Sequence, residues 1–550
     1  MSVHKGRKIV ITSDSTTMSP FGDDAFQAFL CTFPIGFIGK YVAPLMKAEF
    51  NEDGTPRYAS YGQRKVEAVL AKEFGEENVV VAHADNVEKF VGEDTRVLGV
   101  SCHDPMGLAY VSTTYNSLIG FGGDAVTYHY FKELMAKPVF RPKSERKYSV
   151  LAGGPGVWQI KDTNMQDTWN IDTLVYGDAE RDLPPLMQRV LDGEDVGREA
   201  HLSKVNPFDD DIPTILKPST FGCVEITRGC GRGCQFCFPT LRRRYSFPVD
   251  YVMKEVETNV KGGNKSVFIV SDDIFLYYVG PNFIPNRPKV IELFTDICEY
   301  PGVEEVHLSH AAMAPICYDP KMIEELSHLL LQKTKRRLNG KPYQTVEIGV
   351  ETGSPRILKK SMRGKALPYS VDEWPERIDQ GLGILNDNSI FPLCTFQTGM
   401  PGETEEDTLA TMELFDRIKD KKLFYVPLLF IPIEGTRWGK EKRTSLKNFT
   451  ELQWDIVATG WKRNLDIWGG ENKALIRFGS FWVYWMYLRW KHGKNSARPA
   501  LKFMGFPEGL FKQKIGKPCD KAFCEDEGEK EYEGFDVPMA FEVKADALLG

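Results

Sequence analysis

Three cysteines in the spacing C-x3-C-x2-C, Cys230, Cys234 and Cys237, follow directly on the β-branched stretch CVEIT at 223–227. Three thiolates do not complete a tetrahedral structural zinc site, and no further His or Cys lies close enough downstream to finish a normal finger. They suit a four-iron, four-sulfur cluster with one iron left open for a substrate. Zinc, or a chance grouping of cysteines, is the alternative on spacing alone.

The surrounding chain limits what such a loop can serve. Of the 11 cysteines, an odd number without framework spacing, most lie in apolar surroundings, and MSVHKGRKIVITSD at the start leads into a strand pattern rather than a secretory signal. A reducing, cytoplasmic setting is expected. Cys31, Cys102, Cys223, Cys298, Cys317 and Cys394 read as core residues. The formal charge is −7 and no basic block is longer than Arg242 to Arg244, which disfavours nucleic acid as a partner. The apolar stretch 28–39 contains Pro34 and falls short of the roughly 20 residues of a membrane span, so it is expected as a buried loop or helix and no transmembrane segment is expected.

At 550 residues the chain is long enough for several domains. Short β-branched runs at 8–14, 78–84, 96–102, 147–154 and 173–178 alternate with helical patterns at 61–73, 124–136 and 181–191. That alternation predicts an α/β fold that opens with a parallel, Rossmann-like sheet over 1–205, whose ligands sit at the carboxyl ends of the strands. NPFDDDIPTILKPST at 206–220 reads as a linker. Strands at 223–227, 266–272, 304–310, 345–351, 389–399 and 423–432, alternating with helices, predict a partial (β/α)6 barrel over 221–438. A mostly helical C-terminal accessory domain is expected over 439–550, with the aromatic run Phe478 to Trp490 as a buried cap or, alternatively, a lipid-facing belt.

TRGCGRGCQFCFP at 227–239 resembles the cluster loop of radical S-adenosylmethionine (SAM) enzymes. VSDD at 270–273, IGVETGSPRILKKSMRG at 348–364, FQTGMPGETEEDT at 396–408 and PIEGT at 432–436 resemble further segments of that family, in its order. The resemblance implies a 4Fe-4S cluster on Cys230, Cys234 and Cys237, and SAM contacts from Phe236, Asp272, Glu351 and Gln397. It also implies a low-potential electron donor such as a ferredoxin or flavodoxin. Phe236 has simple packing as its alternative role.

GGPGVWQ at 153–159 and LVYGDAERDLPPLMQRV at 174–190 resemble the signature of the cobalamin-binding domain that precedes the barrel in one large radical SAM class. The resemblance implies cobalamin contacts from Gly153, Gly154, Pro155, Gly177 and Ser112. Gly156 stands where many relatives carry His, and the family's lower-ligand motif does not occur. His103 reads as part of a loop turn rather than an axial ligand, so the cobalt is expected without a histidine beneath it.

Together these resemblances imply a cobalamin-dependent radical SAM C-methyltransferase of an unactivated sp3 carbon, using methylcobalamin and a 5′-deoxyadenosyl radical. The look of 22–39 and 101–115 is similar to archaeal members, one of which methylates a glutamine of methyl-coenzyme M reductase. A protein or peptide substrate is therefore expected; a membrane lipid, and a non-enzymatic cobalamin or redox sensor, are the alternatives. His307 and His310, at the end of a barrel strand, are candidate substrate contacts, with completion of hydrogen bonds as the alternative, and Arg242 to Arg244 are candidates to bind a carboxylate or phosphate, with a solvated face or packing against the first domain as alternatives. Cys519 and Cys524 read as free thiols rather than an auxiliary metal site.

Overall fold

The structure, a computed structural model, describes residues 5–119, 123–469 and 490. Of the aromatic run 478–490 only Trp490 falls within them, and Cys519, Cys524 and the charged tail lie outside.

The first β-branched runs become β1 (Ile9–Thr12), β2 (Val79–Val81), β3 (Val97–Ser101), β4 (Ser149–Gly153) and β5 (Thr173–Tyr176), joined by β6 (Glu199–His201). All pair in parallel in the order β2-β1-β3-β4-β5-β6. Both faces are apolar because both are covered. Val10, Leu98, Val150 and Leu174 pack with Phe131 and Leu134 of the helix Val126–Met135. Ile9, Ile11, Val97 and Leu151 pack on the other side with Leu70 of Tyr61–Phe74 and Leu183 of Ala179–Leu191. The helix Tyr61–Phe74 starts where the Ser60 side chain accepts from the Gln63 N–H and stops at Gly75, whose φ of 86° suits glycine.

The second unit has six parallel strands, Cys223–Glu225, Ser266–Val270, Glu305–Leu308, Glu347–Glu351, Leu393–Thr398 and Phe424–Leu429. They form two three-stranded sheets joined by a parallel bridge between His310 and Glu347. The result is a partial barrel. Its outward residues, among them Val224, Ile269, Val306, Ile348, Phe396 and Tyr425, share one core with the covering helices. The helix Glu451–Trp468, which the sequence assigns to the accessory domain, lies on the sixth barrel strand. There Asn464 exchanges two hydrogen bonds of 2.7 Å with the Tyr425 backbone. Cys223 is only partly buried, since it faces the lumen; the other five cysteines expected in cores are buried.

The segment 28–39 forms short, half-buried helices, Ala25–Thr32 and Ile35–Val42. Phe26 and Phe29 of this region line the barrel lumen. No helix among the described residues is long and apolar enough to cross a membrane.

Candidate functional site

The cysteine loop leaves the first barrel strand through three glycines, Gly229, Gly231 and Gly233, at φ of 79°, 76° and 83°. An L side chain is disfavoured there, so these glycines let the loop fold back on itself. Arg232, buried, clamps it: one guanidinium nitrogen donates to Gly364 O at 3.0 Å and another pairs with Asp273 at 3.0 Å. Gly233 N–H donates to the Thr240 hydroxyl at 2.6 Å, and Gln235 N–H to Ser361 O at 3.0 Å. The loop is therefore held from both sides.

Burial pushes the Cys230 thiol up to about 12 and raises those of Cys234 and Cys237 as well. Ligation requires thiolates, so positive charge must offset this. Arg232 acts against burial at Cys230 and Cys234, and Lys365 at Cys234 and Cys237. Burial alone would lower the Lys365 ammonium, but Glu351 and the cysteines outweigh it and keep it charged. Among the described residues no three His, Cys, Asp or Glu side chains converge as ligands of a single ion would. A four-iron cluster puts each thiolate on a different iron, so its ligands need only surround a common space.

Glu351 ends the fourth barrel strand at φ 68°, just past an irregularity in register between Gly349 and Glu351. Holding a non-glycine residue there costs about 1 kcal/mol or more and marks a carboxylate aimed by its surroundings. One oxygen meets Lys365 Nζ at 3.2 Å and the Thr395 hydroxyl at 3.3 Å; the other, Oε2, is buried without a partner. Gly349 makes room for this pair, since a Cβ there would stand 2.3 Å from Glu351 Oε1. Gln397 Oε1, on the neighbouring strand, is also buried and unpartnered. Two orphaned acceptors beside the cysteine loop fit a cationic, hydrogen-bond-donating ligand such as SAM. Sequence reasoning missed Lys365, Arg232 and Thr395; Lys365 directly follows the quoted motif, but only the fold turns it back toward the cysteines.

Asp272, at the end of the second strand, accepts from Gly229 N–H at 3.1 Å, and burial raises its carboxyl. Phe236 is buried with its ring 6.5 Å from Trp438, and its carbonyl accepts from the Tyr110 hydroxyl at 3.1 Å. A cavity of about 410 Å³ in the lumen is lined by Phe26, Phe29, Arg242, Asp272, His310 and Glu347, among others. His310 belongs to it, 3.4 Å from Glu347. His307 does not: it is buried one turn of the pleat deeper, outside the lining, and both ring nitrogens lack partners.

The carboxyl ends of the two sheets face each other. Beyond the Tyr110 contact, Arg228 pairs with Glu180 at 2.6 Å, and Arg242 pairs with Asp178. Arg242 thus serves the domain contact. Gly153, Gly154, Pro155 and Gly177 lie at the ends of β4 and β5, with Gly154, Pro155 and Gly177 exposed. The missing side chains of Gly154 and Gly177 serve the chain itself: a Cβ on Gly154 would approach Cys102 O to 2.7 Å, and one on Gly177 would approach Leu202 O to 2.3 Å. Gly154, Pro155 and Gly177 leave the exposed ends of these strands with no bulky side chain, next to Tyr176, whose hydroxyl is buried without a partner, and this fits a flat, bulky ligand. Ser112 does not fit the role expected of it, being fully buried with its hydroxyl donating to Asp104 at 2.5 Å. His103 is exposed and directly precedes a turn closed by Gly107 N–H to Asp104 O at 3.1 Å.

Residues 224–415 match the family model of the Radical SAM superfamily. The chain is similar to the tRNA-2-methylthio-N(6)-dimethylallyladenosine synthase of Magnetococcus marinus, 26% identical over 286 residues, which cover 50% of this chain and 60% of that protein. It is similar to the ribosomal protein uS12 methylthiotransferase RimO of Aromatoleum aromaticum, 31% identical over 300 residues, which cover 50% of this chain and 61% of that protein. The chain thus spans about six-tenths of the length of these relatives. Among solved structures, the radical SAM methyltransferase TsrM of Kitasatospora setae, with cobalamin and a 4Fe-4S cluster bound, aligns at a TM-score of 0.47 and 15% identity over 79% of this chain and 77% of that one. Enzymes of the superfamily matched over residues 224–415 use a 4Fe-4S cluster and SAM, which the three cysteines and the two orphaned acceptors fit.

Proposed function

We propose that this chain is a cobalamin-dependent radical SAM C-methyltransferase that methylates an unactivated sp3 carbon of a protein or peptide residue, a glutamine of methyl-coenzyme M reductase being the first candidate. The observation that carries the reading is the meeting of the two carboxyl edges: Tyr110 bonds to Phe236 of the cysteine loop, and Arg228 and Arg242 pair with Glu180 and Asp178, which closely follow the exposed Gly177 in the chain. Two cofactors that must act on one carbon need that arrangement. When bound, the cluster and SAM supply a radical that abstracts hydrogen, and cobalamin supplies a methyl carrier.

The chain's own residues hold and orient. Cys230, Cys234 and Cys237 ligate, with Arg232 and Lys365 favouring their thiolates. Glu351 Oε2 and Gln397 Oε1 accept from SAM, and Asp272 flanks it from the second strand. Phe26 and Phe29 keep water from the lumen, and His310 with Glu347 offers the substrate a polar anchor.

The test is anaerobic reconstitution with iron, sulfide and hydroxocobalamin, then mass spectrometry after adding SAM, reductant and candidate peptides. Formation of 5′-deoxyadenosine and S-adenosylhomocysteine with a peptide gain of one methylene supports the reading. A gain of a methylthio group instead transfers the chain to the chemistry named for its curated relatives. Deoxyadenosine without S-adenosylhomocysteine removes methyl transfer and leaves radical modification of a lipid as the leading alternative.

A further inference from the structure

Against the cysteine loop lies a second groove, of about 350 Å³, that shares no lining residue with the lumen cavity. Its floor is the loop itself: Gly233 and Gln235, the neighbours of Cys234, line it together with Ser361. Its walls carry Lys360, Arg363 and Arg437, and Lys359 adjoins them; all four are exposed. Lys360 Nζ reaches only Pro401 O at 3.0 Å, and Arg363 Nε only Lys359 O at 2.8 Å. Among the described residues no carboxylate pairs with any of the four. Glu434, the acid nearest Arg437 in sequence on the N-terminal side, acts on Lys161 and Asp162 of the first domain instead.

Lys359 and Lys360 stand in the last turn of the helix Pro355–Ser361, where cations favour the helix dipole. That accounts for two of the charges and not for Arg363 or Arg437, which arrive on separate segments. The protein as a whole carries −7. An acidic partner is therefore repelled by the molecule at large and drawn to this patch, a pattern that orients an encounter more than it tightens it. The loop backbone is tied directly to both walls, through Gln235 N–H to Ser361 O and Trp438 N–H to Gln235 O, each at 3.0 Å.

We propose that this groove is the docking surface of a small acidic protein that carries one electron at low potential, of flavodoxin or ferredoxin type. The inference rests on the cluster of the radical SAM domain and not on methyl transfer. One electron leaves the reduced carrier and enters the oxidised cluster; the carrier departs oxidised by one electron, and no bond is made or broken. Encounters of this kind use small, weak, salt-sensitive interfaces, which a groove rimmed by exposed cations suits.

The experiment uses the full chain with flavodoxin as probe. Calorimetric binding of oxidised flavodoxin reads the surface without any turnover. Stopped-flow loss of flavodoxin hydroquinone absorbance reads electron transfer, and SAM cleavage driven by dithionite reads the cluster independently of docking. In K360E/R363E/R437E the flavodoxin association rate at low salt is expected to fall about tenfold or more, with melting temperature and dithionite-driven cleavage unchanged. A control of equal charge change on exposed lysines elsewhere, K254E/K321E/K341E, is expected to keep most of that rate. Unchanged flavodoxin binding and oxidation in the groove variant overturns the proposal. So does an RNA oligonucleotide whose binding the groove variant abolishes while flavodoxin oxidation persists, which would make the groove a nucleic-acid surface.

Discussion

His307 shows what the barrel lumen demands of one side chain. It is 4% exposed, both ring nitrogens are unpartnered, and its surroundings are Arg336, Glu305, Asp24 and Lys335. Burial first, and Arg336 second, push its pKa down to about 4 from an ordinary 6.5. The folded protein thus keeps the ring neutral where the unfolded chain already takes a proton. Stability from this site is complete above pH 6.5 and is lost as pH falls toward 4. Between pH 7 and pH 5 the loss is about 2 kcal/mol. His307→Leu removes no hydrogen bond, so it is expected to leave stability at pH 7 unchanged or raised, and to flatten the acid limb of urea midpoints measured from pH 7 to pH 5. An undiminished slope in the variant would locate the titration elsewhere.

At the scale of elements, the cysteine loop depends on how closely the segment after the helix Pro355–Ser361 can approach it. Gly364 is the contact: a Cβ there would stand 2.1 Å from Arg232 O, against backbone that cannot turn away. Gly364→Ala is expected to push the segment off the loop, displace Lys365 from Cys234 and Cys237, and lower iron bound after reconstitution by half or more while far-ultraviolet circular dichroism is retained. Gly62→Ala is the control. That glycine lies in a helix with nothing within 4 Å of a Cβ, so the substitution is expected to stabilise by about 0.5–1 kcal/mol and leave iron content intact. These elements were not equally legible in the sequence. Strands such as Ser266–Val270 and Glu347–Glu351 announce themselves by β-branched runs, though the first run overshoots into Ser271 and Asp272 of the site and the second starts early, at Thr345 and Val346. The strand Glu199–His201 has no apolar run, being a short, half-exposed edge. The helix Tyr110–Ile119 carries Val111, Thr113 and Thr114, which disfavour helix locally. It forms because Tyr110 and Thr114 bond to Phe236 O and Leu429 N–H. Cys230, Cys234 and Cys237 stand out by their spacing, which leaves the choice between a cluster and zinc open; Lys365 and Arg232 do not stand out, since their place beside the cysteines arises from long-range approach.

In the whole molecule the two halves have separate main cores, joined by a smaller apolar cluster of Leu118 with Leu429, Ile431 and Trp454 and by charged groups buried where they meet. Lys65, on the helix Tyr61–Phe74, reaches Glu255 of the barrel helix Val249–Lys261 at 2.5 Å; Glu255 is fully buried and Lys65 is 6% exposed. The Tyr61 hydroxyl donates to the other carboxylate oxygen at 2.7 Å, and Ile215 N–H donates to the first at 3.1 Å. Burial raises the Glu255 carboxyl, and Lys65 acts against it. Removing the cation leaves the carboxylate desolvated and short of its partner, a change that costs about 3–5 kcal/mol in buried pairs. Because each half keeps its own apolar core, that loss falls on the contact between them more than on either sheet. Lys65→Met is therefore expected to split a single urea transition into two and to open the segment 206–220 to limited proteolysis. Adding Glu255→Gln, which keeps an acceptor for Ile215 and a partner for Tyr61, is expected to restore most of the midpoint and the single transition. A double variant no better than Lys65→Met alone would mean that lost packing around the lysine stem, rather than the stranded carboxylate, loosens the halves.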